Sequence, residues 1–478
     1  MSASVLLITA RTPSDLDLKP KGFAASASRT FFMPLALLYL SGALSKEFDV
    51  RVLDLNTVEI GDQGLEAAVE EALVRALDES SPLLAGINCQ FSAQMASTFK
   101  TAAIIKKHNP SVKVAAGGMH PTVFSEELLR DYPDFDFVLK GEGEESLPKL
   151  VRALKSGRGL EDVDGLSWRT ADGRIVSRPK TSFIENLDSL PAPGYHLFDF
   201  DQYRLNSSGW HNPKGHEIGV SVPVVSSRSC PNKCNFCSVT HIMGPRFRAR
   251  SAGHVLDELE FLYHTYGTRY FNIVDDNFTL LRGRTLEICR GIIDRKLDLQ
   301  LRTSSGLSIN ALDDEVIDAL AEAGLIWAPL AIESGDENIR NRVVGKNLSR
   351  ERIFRTIKSL RRYPQILLTA YFIIGFPEDT LETLQATYDM VEELDIDYAS
   401  VNIATPLPGT ALYAQAARDN LLLHGRMKWD RTDIFLSLKD DVFFIKPAAL
   451  SIEQLRDFQA SLTELRMRKR TPAHRRLY

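Results

Sequence analysis

The stretch Val222-Pro-Val-Val-Ser-Ser-Arg-Ser-Cys230-Pro-Asn-Lys-Cys234-Asn-Phe-Cys237 reads as a short β-branched strand that runs directly into a loop carrying three thiols within eight residues. A position just past a strand makes the cysteines loop residues and not core residues, and it is where the working loops of a strand-and-helix barrel emerge. Three thiolates separated by three and then two residues can curl around one iron–sulfur cubane and ligate three of its irons. The fourth iron is then left without a protein ligand.

Outward from this loop, strands are expected near 222–227, 269–274, 299–304, 326–332, 367–374 and 397–403, each followed by a helical stretch. Six such repeats up to Tyr413 imply an open (β/α)6 barrel of the TIM type. Towards the N-terminus, short β-branched runs at 5–9, 50–54, 83–87, 112–116 and 135–139 alternate with amphipathic stretches near 33–45, 64–77, 92–108 and 124–131. That alternation implies a parallel sheet covered on both faces, a Rossmann-like doubly wound domain whose ligands sit at the carboxyl ends of its strands. The fold class is therefore α/β, with a Rossmann-like parallel sheet over 1–155 and a partial barrel over 216–415. A linker with a small β element is expected over 156–215, built on Gly165–Arg169 and Arg174–Ser177 around Asp172-Gly173, and a helical cap over 416–478.

With 478 residues, 44% hydrophobic and 25% charged, the chain is ordinary in composition and too long for one core. A net charge of −5 with Lys and Arg spread along the sequence shows no footprint for nucleic acid. The basic run Arg466-Met-Arg-Lys-Arg470 reads as a solvated terminal face. The apolar stretch from Met33 to Leu44 falls short of the roughly 20 residues a bilayer span needs, and the opening residues read as a strand and not as a signal peptide. The expected location is the cytoplasm. Five cysteines, an odd number with three clustered, point to metal or redox chemistry in a reducing compartment. Cys89 and Cys289 read as small buried hydrophobes. The competing reading of the cluster is a zinc site with His241 as fourth ligand, although the spacing lacks the paired knuckles of structural zinc.

A cubane with one open iron can chelate the amino and carboxylate groups of S-adenosylmethionine (SAM) and pass an electron into its sulfonium, giving a 5′-deoxyadenosyl radical. CxxxCxxC with an aromatic before the last Cys resembles the signature of the radical SAM superfamily, and further matches follow in order along the barrel. The resemblance implies a [4Fe–4S] cluster on Cys230, Cys234 and Cys237, with Phe236 beside the SAM adenine. Asp275-Asp276-Asn277-Phe278 resembles the segment that holds the SAM amino group, which implicates Asp275 and Asn277. Ile332-Glu333-Ser334-Gly335 resembles the stretch that contacts the ribose or carboxylate, with Lys346 following in a Gly-Lys-Asn context. Gly375-Phe-Pro-Glu378 resembles the turn near the adenine, and Pro406-Leu-Pro-Gly409-Thr410 is similar to a PlPGT segment of one large subgroup. No catalytic acid or base is assigned beyond the cluster. A small-molecule substrate and a flavodoxin- or ferredoxin-type electron donor are the partners the resemblance implies.

Gly117-Gly118-Met-His120-Pro, followed by Asp136-Phe-Val-Leu-Lys-Gly141-Glu142-Gly143-Glu144, resembles the cobalamin-binding domain that precedes the barrel in one subgroup of the superfamily. Gly117, Gly118, Gly141 and Glu142 would line the cobalamin site, between the domains in that subgroup. Cobalamin would carry a methyl group from one SAM to a substrate radical made by another. One departure stands out: none of the ten His residues has Asp two places before it, so the Asp-x-His-x-x-Gly cobalt-ligand motif is missing. His120, in a His-Pro turn, reads as a structural or polar-lining residue. Two enzymatic readings follow: cobalamin-dependent C-methylation or cyclisation in a biosynthetic pathway, or cobalamin-independent radical dehydration, deoxygenation or rearrangement with the N-terminal domain as scaffold. A non-catalytic regulatory module leaves the ordered strand-end motifs unexplained. The stretches Ser207–Pro213, with Trp210, and Trp429-Asp-Arg431 fall where a substrate lid could lie.

Overall fold

In the N-terminal region the β-branched runs form strands β1 (Ser4–Thr9), β2 (Asp49–Asp54), β3 (Leu84–Asn88), β4 (Lys113–Gly117) and β5 (Phe137–Leu139). The computed structural model describes residues 3–12, 32–60, 62–90, 92–203, 219–423 and 444–469. The expected lid stretches around Trp210 and Trp429 lie outside the described residues. The chain divides into two compact units, one taking it to Gln202 together with His241–Gly244, the other holding Tyr203–Thr240 and the chain from Pro245 onward through the barrel.

In the first unit β1 to β5 pair in parallel in the order β2-β1-β3-β4-β5. Val5 to Ile8 are all buried, the continuous apolar run of a strand covered on both faces. Strand order reverses between β1 and β3, which fixes the ligand-binding edge at the carboxyl ends of those strands. The hairpin expected in the linker does not stand alone. Its strands β6 (Leu166–Arg169) and β7 (Ile175–Ser177) pair antiparallel beside β5 and extend the same sheet to seven strands. His120 lies in a short helix, Met119–Val123, and not in an open His-Pro turn.

The second unit opens with β8 (Ser221–Val224) and a two-residue ribbon, β9 (Ser227–Arg228) against β10 (Arg248–Ala249). There follow β11 (Tyr270–Ile273), β12 (Gln300–Arg302), β13 (Leu325–Glu333), β14 (Leu367–Ile374) and β15 (Tyr398–Ile403). They pair with β8 in one six-stranded parallel sheet whose order follows the sequence, β8-β11-β12-β13-β14-β15. Sequential order is what repeated right-handed strand–helix–strand crossovers generate. Several of the helices are started by side-chain caps: Ser251, Asp313, Ser349, Thr380 and Thr410 each accept an N–H of the first turn. Thr410 explains the last residue of the Pro406–Thr410 motif in local terms. β12 is shorter than expected because Thr303 to Gly306 close a turn, with the Gly306 N–H on the Thr303 carbonyl at 2.9 Å. β13 runs on to Glu333 with a register irregularity between Ala331 and Glu333, a bulge of the kind that re-aims a side chain at a strand end. Among the described residues no helix is long and apolar enough to cross a membrane.

Candidate functional site

The cysteine loop hangs from a stem fixed by buried polar contacts. At the end of β11, the Asp275 carboxylate accepts from the Ser226 N–H at 2.6 Å, the Ser226 hydroxyl at 2.5 Å and the Ser227 hydroxyl at 2.6 Å. Arg284, on the helix Arg282–Asp294, donates to the carbonyls of Ser226 and Arg250, both at 2.6 Å. Burial raises the Asp275 pKa, and its three donors work in the other direction by favouring the anion. Both oxygens are thus engaged in holding the strand that feeds the loop. The carboxylate facing the loop itself is that of Asp276, which accepts the Ser229 N–H at 2.9 Å. Burial pushes Asp276 up to about 6. Ser229, immediately before Cys230, is held at a left-handed φ of 69°. Strain of this sort survives only where the surroundings over-determine it.

Asp275→Ala strands a buried N–H and two hydroxyls, each loss costing about 1–3 kcal/mol. The expected result is a protein destabilised by roughly 3 kcal/mol or more, binding fewer than four irons after reconstitution. Urea unfolding and an iron assay check it, and wild-type values for both would exclude the stem role.

Past Ser229, the Cys237 N–H donates to the Cys234 carbonyl at 3.0 Å, closing the loop. Cys230 and Cys234 are half-buried and Cys237 is exposed. Burial pushes the Cys234 thiol up to about 11, against the lowering pull of Lys346. Cys237 lies within electrostatic reach of Cys230, Asp276 and Lys346. The Asn277 amide donates to the Cys230 sulfur at 3.6 Å. Across the loop, Lys346 pairs with Glu333 at 2.8 Å, with side chains only 14% and 7% exposed. Burial opposes the charge on Lys346, but Glu333 and the thiols outweigh it, so its pKa is raised. Glu333 sits at a φ of 74°, in the left-handed region that a side chain rarely adopts. Phe236 packs near Phe376, ring centroids 6.4 Å apart, and joins Cys234 against the apolar cluster of Ile339, Val344, Phe376 and Ala404. Gly375, beside Phe376, donates its N–H to Asp379 at 2.8 Å.

The structure therefore brings Phe236, Asn277, Glu333 and the Gly375 turn together with the three cysteines at the carboxyl edge of one sheet. It gives Asp275 to the stem. Among the described residues no group of three or more His, Cys, Asp or Glu side chains is placed to hold a single metal ion. The donor set also fits SAM: Asn277 Oδ1 and the Thr279 hydroxyl are buried with no hydrogen-bond partner, and Asp276 stands beside them in sequence. An ammonium and a ribose hydroxyl are the groups such acceptors would take.

In the first unit, Gly117 and Gly118 end β4 at the ligand-binding edge, and the Thr9 hydroxyl at the end of β1 is buried without a partner. Gly118, at a φ of 106°, lets the ends of β3 and β4 meet: a Cβ there would be 2.2 Å from the Cys89 carbonyl oxygen. A flat ligand can approach a backbone edge built this way. Gly141 and Glu142 follow β5, the strand beside β4, and the Gly141 N–H donates to the Thr122 hydroxyl at 3.1 Å. A Cβ on Gly141 would come 3.0 Å from Lys180 Cγ, and Glu142 accepts the Ile184 N–H at 2.9 Å. Both residues pack against the returning chain at Lys180–Ile184. His120 is 3% exposed, its Nδ1 3.1 Å from the Ser92 hydroxyl, and burial pushes its imidazole down to about 3.

That depression has a pH consequence. Between pH 6.5 and 3 the unfolded His120 is protonated while the folded one is neutral, so the unfolded state binds the extra proton and stability falls as pH falls. The slope reaches at most about 1.4 kcal/mol per pH unit. Urea unfolding at pH 7.5 and 5.5 should show this loss, and His120→Asn should reduce it; an unchanged pH dependence in the variant would contradict it.

Sequence reasoning did not find Ser226 and Ser227 as parts of the site's frame, nor Asp276 as the carboxylate at the loop. The doublet Asp275-Asp276 carried a signal: adjacent residues past a strand end point in different directions, so one can hold the stem and the other the loop.

The family model of the radical SAM superfamily matches residues 224–391, and that of the B12 binding domain matches residues 24–151. An uncharacterized methyltransferase, PH0819, from Pyrococcus horikoshii is 34% identical over 83% of this chain and 80% of its own length. The cytidylyl-2-hydroxyethylphosphonate methyltransferase of Streptomyces wedmorensis is 28% identical over 81% of this chain and 78% of its own. The solved structure of the radical SAM methyltransferase TsrM from Kitasatospora setae, with cobalamin and a [4Fe–4S] cluster bound, superposes with a TM-score of 0.67, covering 88% of this chain and 78% of that one at 21% identity. At that identity the likeness establishes the fold, a Rossmann-like parallel sheet followed by a radical SAM barrel. The chain belongs to the radical SAM superfamily, among the cobalamin-dependent methyltransferases and cyclases whose barrel follows a B12-binding domain, and it is an enzyme whose cofactors are a [4Fe–4S] cluster, SAM and cobalamin.

Proposed function

We propose that this enzyme transfers a methyl group to carbon on a small biosynthetic substrate, with its cluster on Cys230, Cys234 and Cys237. The observation that carries the reading is the presence, in one chain, of the three-cysteine loop at the edge of the barrel sheet and an N-terminal sheet matched by the B12-binding model. The relatives named as methyltransferases support it. When bound, the cluster delivers an electron to the SAM sulfonium and cobalamin serves as methyl carrier.

The chain's own residues bind and orient. Asn277 Oδ1 and Asp276 accept the SAM ammonium, a charge-assisted contact in a partly desolvated setting. Glu333 and Lys346 bracket the ribose and carboxylate, and Phe236 with the Gly375 turn supplies the apolar wall beside the adenine. Asp275 holds the loop's stem. In the first unit Gly117 and Gly118 offer bare backbone to the corrin, with the Thr9 hydroxyl beside them at the strand ends. Gly141 and Glu142 support that edge from the linker side. A flavodoxin- or ferredoxin-type protein in the cytoplasm is the electron donor consistent with a cluster of this kind. Closure of the barrel mouth would keep stray hydrogen donors and reductants from the reacting carbon.

Anaerobic incubation of the reconstituted enzyme with SAM and a low-potential chemical reductant such as titanium(III) citrate, which takes cobalamin to Co(I) and reduces the cluster, with no other substrate, tests the reading. Methyl transfer predicts S-adenosylhomocysteine in an amount matching the bound cobalt. 5′-Deoxyadenosine as the sole SAM-derived nucleoside, with full cobalt occupancy, would overturn it in favour of radical chemistry alone.

A further inference from the structure

We propose that Asn277 and Lys346 set the reduction potential of the cluster, Asn277 by a hydrogen bond to the Cys230 sulfur and Lys346 as a cation held on the turn that lies against the cysteine loop. The inference rests on the assignment of Cys230, Cys234 and Cys237 to a [4Fe–4S] cluster and assigns these two residues a task separate from holding SAM.

Asn277 is 3% exposed, and its amide nitrogen is 3.6 Å from Cys230 Sγ. A cysteine bound to iron has lost its proton, so this contact can run only from the amide N–H to the sulfur. The opposite amide atom, Oδ1, is buried and has no partner, so nothing turns the side chain away from the sulfur.

Lys346 is placed by backbone as well as by its own charge. Its N–H donates to the Arg340 carbonyl at 3.0 Å. Arg340, fully buried, donates in turn to the carbonyls of Leu348 at 2.7 Å, Ser334 at 2.8 Å and Gly335 at 3.1 Å. One guanidinium thereby ties the end of β13, with Glu333, to the turn that carries Lys346. That turn lies on the cysteine loop: a Cβ on Gly345 would be 3.6 Å from the Lys233 carbonyl oxygen, and Val344 shares its apolar cluster with Cys234 and Phe236. Glu333 at 2.8 Å keeps the ammonium from extending into solvent.

Reduction adds an electron to a cluster already carrying three thiolates. Hydrogen bonds to sulfur and nearby positive charge stabilise the reduced form more than the oxidised one and raise the potential. In a partly desolvated site a unit charge acts more strongly than in water. Both residues raise the cluster potential towards that of a protein donor before SAM arrives, a tuning task additional to their contacts with SAM.

The test is an anaerobic redox titration of the full-length reconstituted enzyme without SAM, followed by electron paramagnetic resonance of the reduced cluster. Asn277→Leu and Lys346→Met should each titrate at a more negative midpoint than wild type with four irons retained, and the double variant lower still. Lys346→Arg should restore the wild-type midpoint. If Lys346→Met fails to hold iron because Glu333 is left buried and unpaired, the Glu333→Gln/Lys346→Gln protein replaces it and should show a negative shift of smaller size, because the neighbouring carboxylate is removed as well. If Asn277→Leu fails, Asn277→Ser replaces it with the same expectation. Wild-type midpoints in variants with full clusters would overturn the proposal. Failure of the wild-type protein to bind four irons would instead overturn the cluster assignment beneath it.

Discussion

Alanine at any one of Cys230, Cys234 or Cys237 should abolish reductive cleavage of SAM and remove the brown colour of the anaerobic protein. A cubane with two protein thiolates has two unprotected irons and is lost or degraded, and SAM then has no single open iron to chelate. The remaining cysteines offer no substitute. Cys89 and Cys289 are buried in their own cores, and burial pushes both thiols up to about 12, far from the thiolate that iron requires. The expected change is complete, with 5′-deoxyadenosine below detection and the charge-transfer absorbance gone. A single variant that kept both colour and cleavage would remove that cysteine from the cluster and leave the three-thiolate reading without its basis.

The second large effect belongs to the first unit. Gly118→Val places a side chain at a φ of 106° with its Cβ 2.2 Å from the Cys89 carbonyl oxygen, and neither backbone can give way without parting β3 from β4. The left-handed conformation alone costs about 1–3 kcal/mol, and the clash adds to it. A loss on the order of 3 kcal/mol or more is expected in urea unfolding, together with loss of bound cobalt at retained iron. Cobalt binding at the wild-type level would show that the β4 edge takes no part in holding the corrin.

The three cysteines and the strand ends were legible because their signals are local. Spacing within one loop needs no tertiary knowledge, and a β-branched run followed by a turn marks a sheet edge. What stayed hidden depends on contacts between distant residues. Asp275 and Asp276 are neighbours with opposite assignments, and only the reach of Ser226, Ser227 and Ser229 to them, 47 to 49 positions away, tells which is which. Arg340 looks like any surface helix arginine until three carbonyls are found around it. Gly141 and Glu142 share the glycine-rich look of Gly117 and Gly118, yet Lys180 and Ile184 fold over them from a segment whose sequence carries no pairing signal. The hairpin at Leu166–Ser177 was visible as a hairpin, but its docking on β5 was not, since register against a partner strand is set by the tertiary fold.

The most direct measurement is anaerobic reconstitution with iron, sulfide and hydroxocobalamin, desalting, and metal counting beside an ultraviolet–visible spectrum. Four irons and about one cobalt per chain are expected of a cobalamin-dependent radical SAM enzyme. Four irons with no cobalt would contradict methyl transfer and make the first unit a scaffold for radical chemistry carried out by the barrel alone.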